Sequence, residues 1–151
     1  MEIRQMIKVI PSVAVLIIKD RKVLLVKHTE KAGHLTGTYG LPAGRINPGE
    51  SEKGTAVREL LEETGLKSSE KDLAEFEGNY YIAELERKGS IKLKFGWRVF
   101  LCKNCSGEIK ESEESIPEWV DIDELDSCNL LPNIKNATLA GLKFLQNEAE
   151  N

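Results

Sequence analysis

The sequence predicts an α/β fold, with a mixed β-sheet held between helices. Three observations carry that reading. Apolar, β-branched runs of strand length recur along the chain, at 12–18, 22–27 and 91–102. Two segments place apolar residues at helical spacing, one over 56–64 and one over 134–145. The length, 151 residues, suffices for one substantial core and is too short to expect two. The chain therefore reads as a single domain over 1–151, its core over about 8–147.

The elements follow in order. Residues 12–18 and 22–27 are separated by Lys19-Asp20-Arg21, which marks a hairpin. Residues 28–38 are polar and glycine-containing, hence a loop, and 39–41 form a short strand. A helix should begin after Ser51, a suitable N-cap, and stop at Gly65, suited to the left-handed C-terminal position. Residues 72–85 and 91–102 read as a second, longer hairpin turning near Arg87-Lys88-Gly89-Ser90. A short strand at 119–122 precedes a turn at Asp123-Glu124-Leu125. Ile134, Ala137, Leu142 and Leu145 share one arc of a C-terminal amphipathic helix.

The first helix carries the chemistry. Val57, Leu60, Leu61 and Thr64 fall on an arc about 40° to 140° from Ala56. Glu52, Glu59, Glu62 and Glu63 fall on the opposite side. Like charges at this spacing repel by a few tenths of a kcal/mol per pair. A chain that gathers them behind a glycine-rich loop is arranged to hold a cation. Hard ions such as Mg²⁺ take carboxylate oxygens, keep several waters and bridge to phosphates; Mn²⁺ accepts similar donors. By itself, such a helix reads equally well as a solvated acidic face.

The preceding loop alters that balance. Gly40-Leu41-Pro42-Ala43-Gly44-Arg45-Ile46-Asn47-Pro48-Gly49 lets the backbone approach a ligand and stiffens its path. Gly44, five residues, Glu50, seven residues, then Arg58-Glu59-Leu60-Leu61-Glu62-Glu63-Thr64-Gly65-Leu66 complete the pattern. This run resembles the signature of the Nudix hydrolase family (MutT-like) at every fixed position. Departures nearby are small: Ala43 where glycine is frequent and Tyr39 where tryptophan is common. The resemblance implies a Nudix-type α/β/α sandwich covering nearly the whole chain.

It also implies hydrolysis of a diphosphate bond in a nucleoside diphosphate derivative. A phosphorus centre flanked by anionic oxygens repels hydroxide, so catalysis needs charge neutralisation and an aligned water. Glu59, Glu62 and Glu63 are the implied metal ligands, with a backbone carbonyl at Ala43 or Gly44. Arg58 is implied to be structural, holding carboxylates by ion pairs with Glu50 as its partner. Related enzymes draw the general base from the signature helix, here Glu62 or Glu63, or from a loop ahead of the last strand. That loop carries Glu111, Glu113, Glu114 and Glu118, of which Glu113 or Glu114 best matches by spacing.

Substrate contacts are less determined. Lys27, His28 and Arg45 are placed to meet phosphates, and each reads equally as a solvated charge. Tyr80 and Tyr81 face opposite ways on a strand, so one at most enters a pocket; Tyr81 is the candidate. Phe95 and Trp97 share a strand face and read as core. Asn133 and Asn136 near the last helix can read a purine edge or cap the helix, with Asn133 the candidate contact. Substrates range over nucleoside triphosphates, ADP-ribose, dinucleoside polyphosphates and sugar nucleotides.

Composition narrows the partners. A net charge of −4 gives no electrostatic case for DNA or anionic membranes. The longest apolar stretch, 9–18, is interrupted by Pro11 and Ser12 and is too short to span a bilayer. No basic leader with a cleavage-like site stands out, and Cys102, Cys105 and Cys128 are too sparse for a disulfide framework. Cys102 and Cys105 form C-x2-C without a second pair, so zinc is not expected. A cytoplasmic protein binding a nucleotide or nucleotide-linked diphosphate is the expectation; related enzymes are often homodimers. Two other readings stand beside it: a Nudix-fold domain that senses a nucleotide without cleaving it, and an acidic interaction helix. Retention of every signature glutamate speaks against the sensor.

Overall fold

Nine strands and two helices make up residues 8–150, the part of the chain that the computed structural model describes. In order these are β1 (Ile10–Leu16), β2 (Ile18–Lys19), β3 (Lys22–His28), β4 (Tyr39–Gly40), β5 (Ala43–Arg45), α1 (Glu52–Thr64), β6 (Leu73–Ala74), β7 (Tyr80–Arg87), β8 (Ile91–Cys102), β9 (Ser115–Asp121) and α2 (Ile134–Ala149). Short 3-10 turns occupy Glu70–Asp72 and Ile122–Ser127.

β1 lies between β5, antiparallel, and β8, parallel along its whole length from Ile10 opposite Phe95 to Leu16 opposite Leu101. β8 carries β6 and β7 antiparallel on its other edge. The second sheet is antiparallel and centred on β3, with β2, β4 and β9 as neighbours. Alternation along a strand sends successive side chains to opposite faces. Val13, Val15, Ile17 and Leu24 therefore pack with Ala56 and Leu60 of α1. Ala14, Leu16, Val23 and Leu25 pack with Ile134 and Ala137 of α2. The result is the expected α/β/α sandwich, its mixed sheet joined by a second one.

Four local details differ from the expectation. The hairpin joining the first two apolar runs is confined to Ile18–Lys19 against Lys22–Val23, through Asp20 and Arg21 at φ 51° and 60°. Positive φ at both central residues suits the right-handed twist of a two-residue turn. β1 cannot pair with β3, because both of its edges are taken, so the chain crosses between sheets at Ile17. The expected strand over 72–85 is two strands, parted at Gly78 (φ 77°), where the Asn79 amide donates to the Val99 carbonyl at 2.9 Å. β9 begins at Ser115 rather than 119, and its Pro117 is tolerated because β9 pairs only with β3. Leu61, at the end of the apolar arc, is 46% exposed.

α2 approaches β1 closely at Gly141, where an added Cβ would stand 2.2 Å from Leu16 Cδ2. Gly141→Ala should lower stability by about 1–3 kcal/mol through overpacking, outweighing the roughly 1 kcal/mol that alanine gains over glycine in a helix. Urea denaturation would read the loss, and the double variant with Leu16→Val should lose less than the sum of the two single losses.

Candidate active site

α1 starts where Ser51 Oγ accepts the Gly54 N–H at 2.9 Å and ends where Gly65, at φ 83°, returns its N–H to Leu61. Between these caps Arg58 is the hub. Its Nε and Nη2 donate to the two oxygens of Glu50 at 2.7 and 2.9 Å. Nη1 donates to Glu59 at 2.8 Å and to Glu62 at 3.2 Å, and Nη2 also reaches the Arg45 carbonyl at 3.2 Å. Glu50 further accepts the Asn47 N–H and the Thr55 hydroxyl, both at 3.0 Å. The Arg58 guanidinium and these donors hold the Glu50 carboxyl down at about 2.

The other carboxylates meet the opposite environment. Glu63 accepts the Ala43 N–H at 2.6 Å and the Ser115 hydroxyl at 2.9 Å. Burial pushes its carboxyl up to about 8 against the pull of those hydrogen bonds, with Glu59 and Glu114 adding repulsion. Burial also pushes Glu59 up, opposed by Arg58. The Glu59 side chain is 13% exposed and that of Glu62 56%, so Glu62 is the one turned most to solvent. Gly44 makes room for Glu59: a Cβ there would stand 2.1 Å from its carboxyl carbon.

These groups form one wall of a cavity of about 470 Å³. Glu59, Glu62 and Glu63 line it, with Glu113 and Glu114 beside Ser115. Its floor is aromatic. Phe95 and Trp97 stack at 5.4 Å between centroids, 18° from parallel, and Tyr81 lies opposite Trp97 in the β7–β8 register. Tyr80 is turned out, 45% exposed, under the Arg98 guanidinium at 4.8 Å. Arg45, Arg87, His28 and His34 line a further side, and Asn133 enters from the start of α2.

The structure thus gathers the signature glutamates, Gly44, Glu113, Glu114, His28, Arg45, Tyr81 and Asn133 around one space. Arg58 stands behind them and does not line it. Lys27 is not brought there: its ammonium lies 5.8 Å from the centre of the Tyr39 ring. Glu113 is drawn to Lys31 at 3.8 Å, with its side chain 82% exposed. Glu118 accepts the Tyr39 hydroxyl at 2.9 Å. His28 differs from the basic contact expected. Its Nδ1 shares a hydrogen bond with Thr38 Oγ1 at 3.0 Å, and burial pushes the ring down to about 4. It meets the cavity uncharged at pH 7. Phe95 and Trp97 face the cavity rather than serving the core alone, and Arg87, His34 and Ser115 escaped the sequence reading. Arg87 shares its strand face with Tyr81, six residues earlier, a parity that would have found it. His34 and Ser115 carry no comparable signal.

Among the described residues no three His, Cys, Asp or Glu side chains form a ready-made ion cage. The donors on this wall, the carboxylates of Glu59, Glu62 and Glu63 beside the Gly44 backbone, are all oxygen and fit a hard cation. No described helix is long and apolar enough to cross a membrane.

A model of the NUDIX domain matches residues 8–142. The chain belongs to the Nudix family. The oxidized purine nucleoside triphosphate hydrolase of Danio rerio is 31% identical over 118 residues, 74% of this chain and 65% of that protein. The ADP-ribose pyrophosphatase of Methanocaldococcus jannaschii is 33% identical over 118 residues, 76% of this chain and 64% of that protein. The match thus spans somewhat less than two thirds of either relative. The MutT protein of Methanosarcina mazei superposes with a TM-score of 0.72 at 25% identity, over 96% of this chain and 98% of that one.

The two histidines of this Nudix domain offer a direct check on the cavity's electrostatics. Burial lowers His34 to about 3, with His28 at 4.4 Å between ring centroids. An NMR titration of the ring protons should show neither histidine protonating above about pH 5. Each folded value lies below the unfolded 6.5, so the stability these rings contribute is present above pH 6.5 and is lost as pH falls through about 4 for His28 and about 3 for His34.

Proposed function

We propose that this Nudix protein hydrolyses a phosphoanhydride bond in a nucleoside diphosphate derivative, with water activated beside Mg²⁺. The observation that carries the reading is one cavity with an acidic wall facing an aromatic floor. Held by Glu59, Glu62, Glu63 and the Gly44 backbone, Mg²⁺ would neutralise phosphate oxygens and lower the pKa of a bound water. Mn²⁺ would substitute. Everything else is work for the chain. Arg58 keeps Glu59 and Glu62 in place through its Nη1 bonds. Tyr81 and Trp97 offer ring faces to a base, and the Asn133 amide offers both a donor and an acceptor to its edge. Arg45 supplies a guanidinium to phosphate oxygens.

Glu114 is our choice of general base. It lies close enough to Glu63 and Arg87 to act on both through its charge, whereas Glu113 turns to Lys31. The names of the relatives point to oxidised purine nucleoside triphosphates and ADP-ribose as the first substrates to try. A nucleotide-sensing role remains the second reading, and it predicts tight binding without turnover.

The test is a screen of nucleoside triphosphates, ADP-ribose and dinucleoside polyphosphates with Mg²⁺, resolving products by chromatography. Hydrolysis should vanish with EDTA and return with Mg²⁺ or Mn²⁺. Glu59→Gln and Glu63→Gln should each reduce kcat by about 10² or more. Glu114→Gln should cost on the order of 10²–10⁴, the range of general-base loss, while Glu113→Gln stays within about threefold. Hydrolysis that survives EDTA sinks the proposal, and equal effects of Glu113→Gln and Glu114→Gln sink the choice of base.

A further inference from the structure

We infer that Arg87 binds a phosphate group of the substrate beyond the diphosphate at the acidic wall, so that the site prefers nucleoside triphosphates or longer phosphate chains; this rests on the hydrolase reading above. Arg87 and Arg45 flank a single ring, their guanidinium carbons 5.7 and 5.6 Å from the centre of Phe95. Both line the cavity. Among the described residues neither has a carboxylate within 4.0 Å, although nearly every other arginine does: Arg21, Arg58 and Arg98 are all ion-paired. Glu114 reaches Arg87 only as a longer-range attraction. Arg87 Nε is buried with no hydrogen-bond partner.

The position is built rather than incidental. The Arg87 guanidinium occupies the space a side chain at Gly33 would fill, with Nη2 1.8 Å from an ideal Cβ there. His34 bridges to the Arg87 backbone, and the Lys88 N–H donates to the Gly33 carbonyl at 3.1 Å. Lys88 Nζ then ties down the same loop at the Thr29 carbonyl, 3.1 Å away. The loop over 29–34 thus fixes a half-buried cation beside a second cation. His28 and His34, neutral at pH 7, add nothing to that charge. A partly desolvated arginine without a partner is costly, and a phosphate with its matching fork of oxygens removes the cost for two guanidiniums at once.

The acidic wall is suited to a diphosphate through its metal ion. Arg87, a second guanidinium beside Arg45 on the same cavity, has work to do only on a substrate that carries more phosphate. A diphosphate linking two neutral groups engages Arg45 alone and leaves Arg87 idle; a triphosphate engages both.

The experiment is titration calorimetry in EDTA, which removes hydrolysis and the metal together, so that its outcome stands apart from the fate of the hydrolase proposal. The probes are a non-hydrolysable α,β-methylene nucleoside triphosphate and the matching α,β-methylene diphosphate. The wild type should favour the triphosphate. Arg87→Met should weaken triphosphate binding by about tenfold or more and diphosphate binding by less than about threefold, with Arg87→Lys in between. Gly33→Ala keeps the charge and displaces the guanidinium, and should lose triphosphate selectively as well; it carries the test if Arg87→Met fails to fold by circular dichroism. Equal affinities for the two probes in the wild type, or equal losses in the variants, would overturn the inference.

Discussion

The Arg58 guanidinium is what allows this helix to be acidic. Four carboxylates, Glu50 just ahead of α1 and Glu59, Glu62 and Glu63 in its second half, come together, and their mutual repulsion would splay them. Arg58 answers three of them and the Arg45 carbonyl with a single planar group. An exposed ion pair contributes little, but this one is two-pronged, 29% exposed and part of a network. Because Glu50 belongs to the loop and Glu59 and Glu62 to α1, the same contact sets the angle between loop and helix. Removing it would leave several charges to find water individually.

A division of labour among like residues follows. Glu50, ringed by donors, stays ionised to about pH 2, while burial drives Glu59 and Glu63 the other way. Environments that push carboxyl groups apart in this manner separate structural acids from reactive ones. Glu63 also joins layers that would otherwise be independent. Its carboxyl bridges the Ala43 N–H on β5 and the Ser115 hydroxyl on β9, one strand from each sheet. α1 lies on one face of β1 and the aromatic floor on the other, so acidic groups reach the cavity around the short β5 edge.

How much of this was legible in the sequence depends on whether the signal was local. The caps of α1 and the turn of the β7–β8 hairpin were, because Ser51, Gly65, Gly89 and Ser90 are chosen by their own backbone geometry. The exchange of sheets at Ile17 was not, since an apolar run looks the same whichever neighbour it pairs with. The start of β9 is hidden in the sequence because Ser115 and Pro117 do not resemble strand residues, and only β3 makes them so. In the cavity the acidic wall was legible through its fixed spacing, and the opposite wall was not. Phe95 and Trp97 have the look of core residues, and their contact with the cavity follows from long-range packing. His28 reads as a cation in the sequence, which contains charges but no dielectric; burial beside Thr38 makes it neutral.

Gly44 does not have the left-handed φ of Gly49 or Gly65. Its lack of a side chain serves the neighbour across the gap, whose carboxyl group fills the volume. The glycine is therefore a tenancy agreement with Glu59 rather than a hinge. An engineer enlarging position 44 should shorten position 59 to aspartate in the same step, and these two sites should drift together in any lineage that rebuilds the loop.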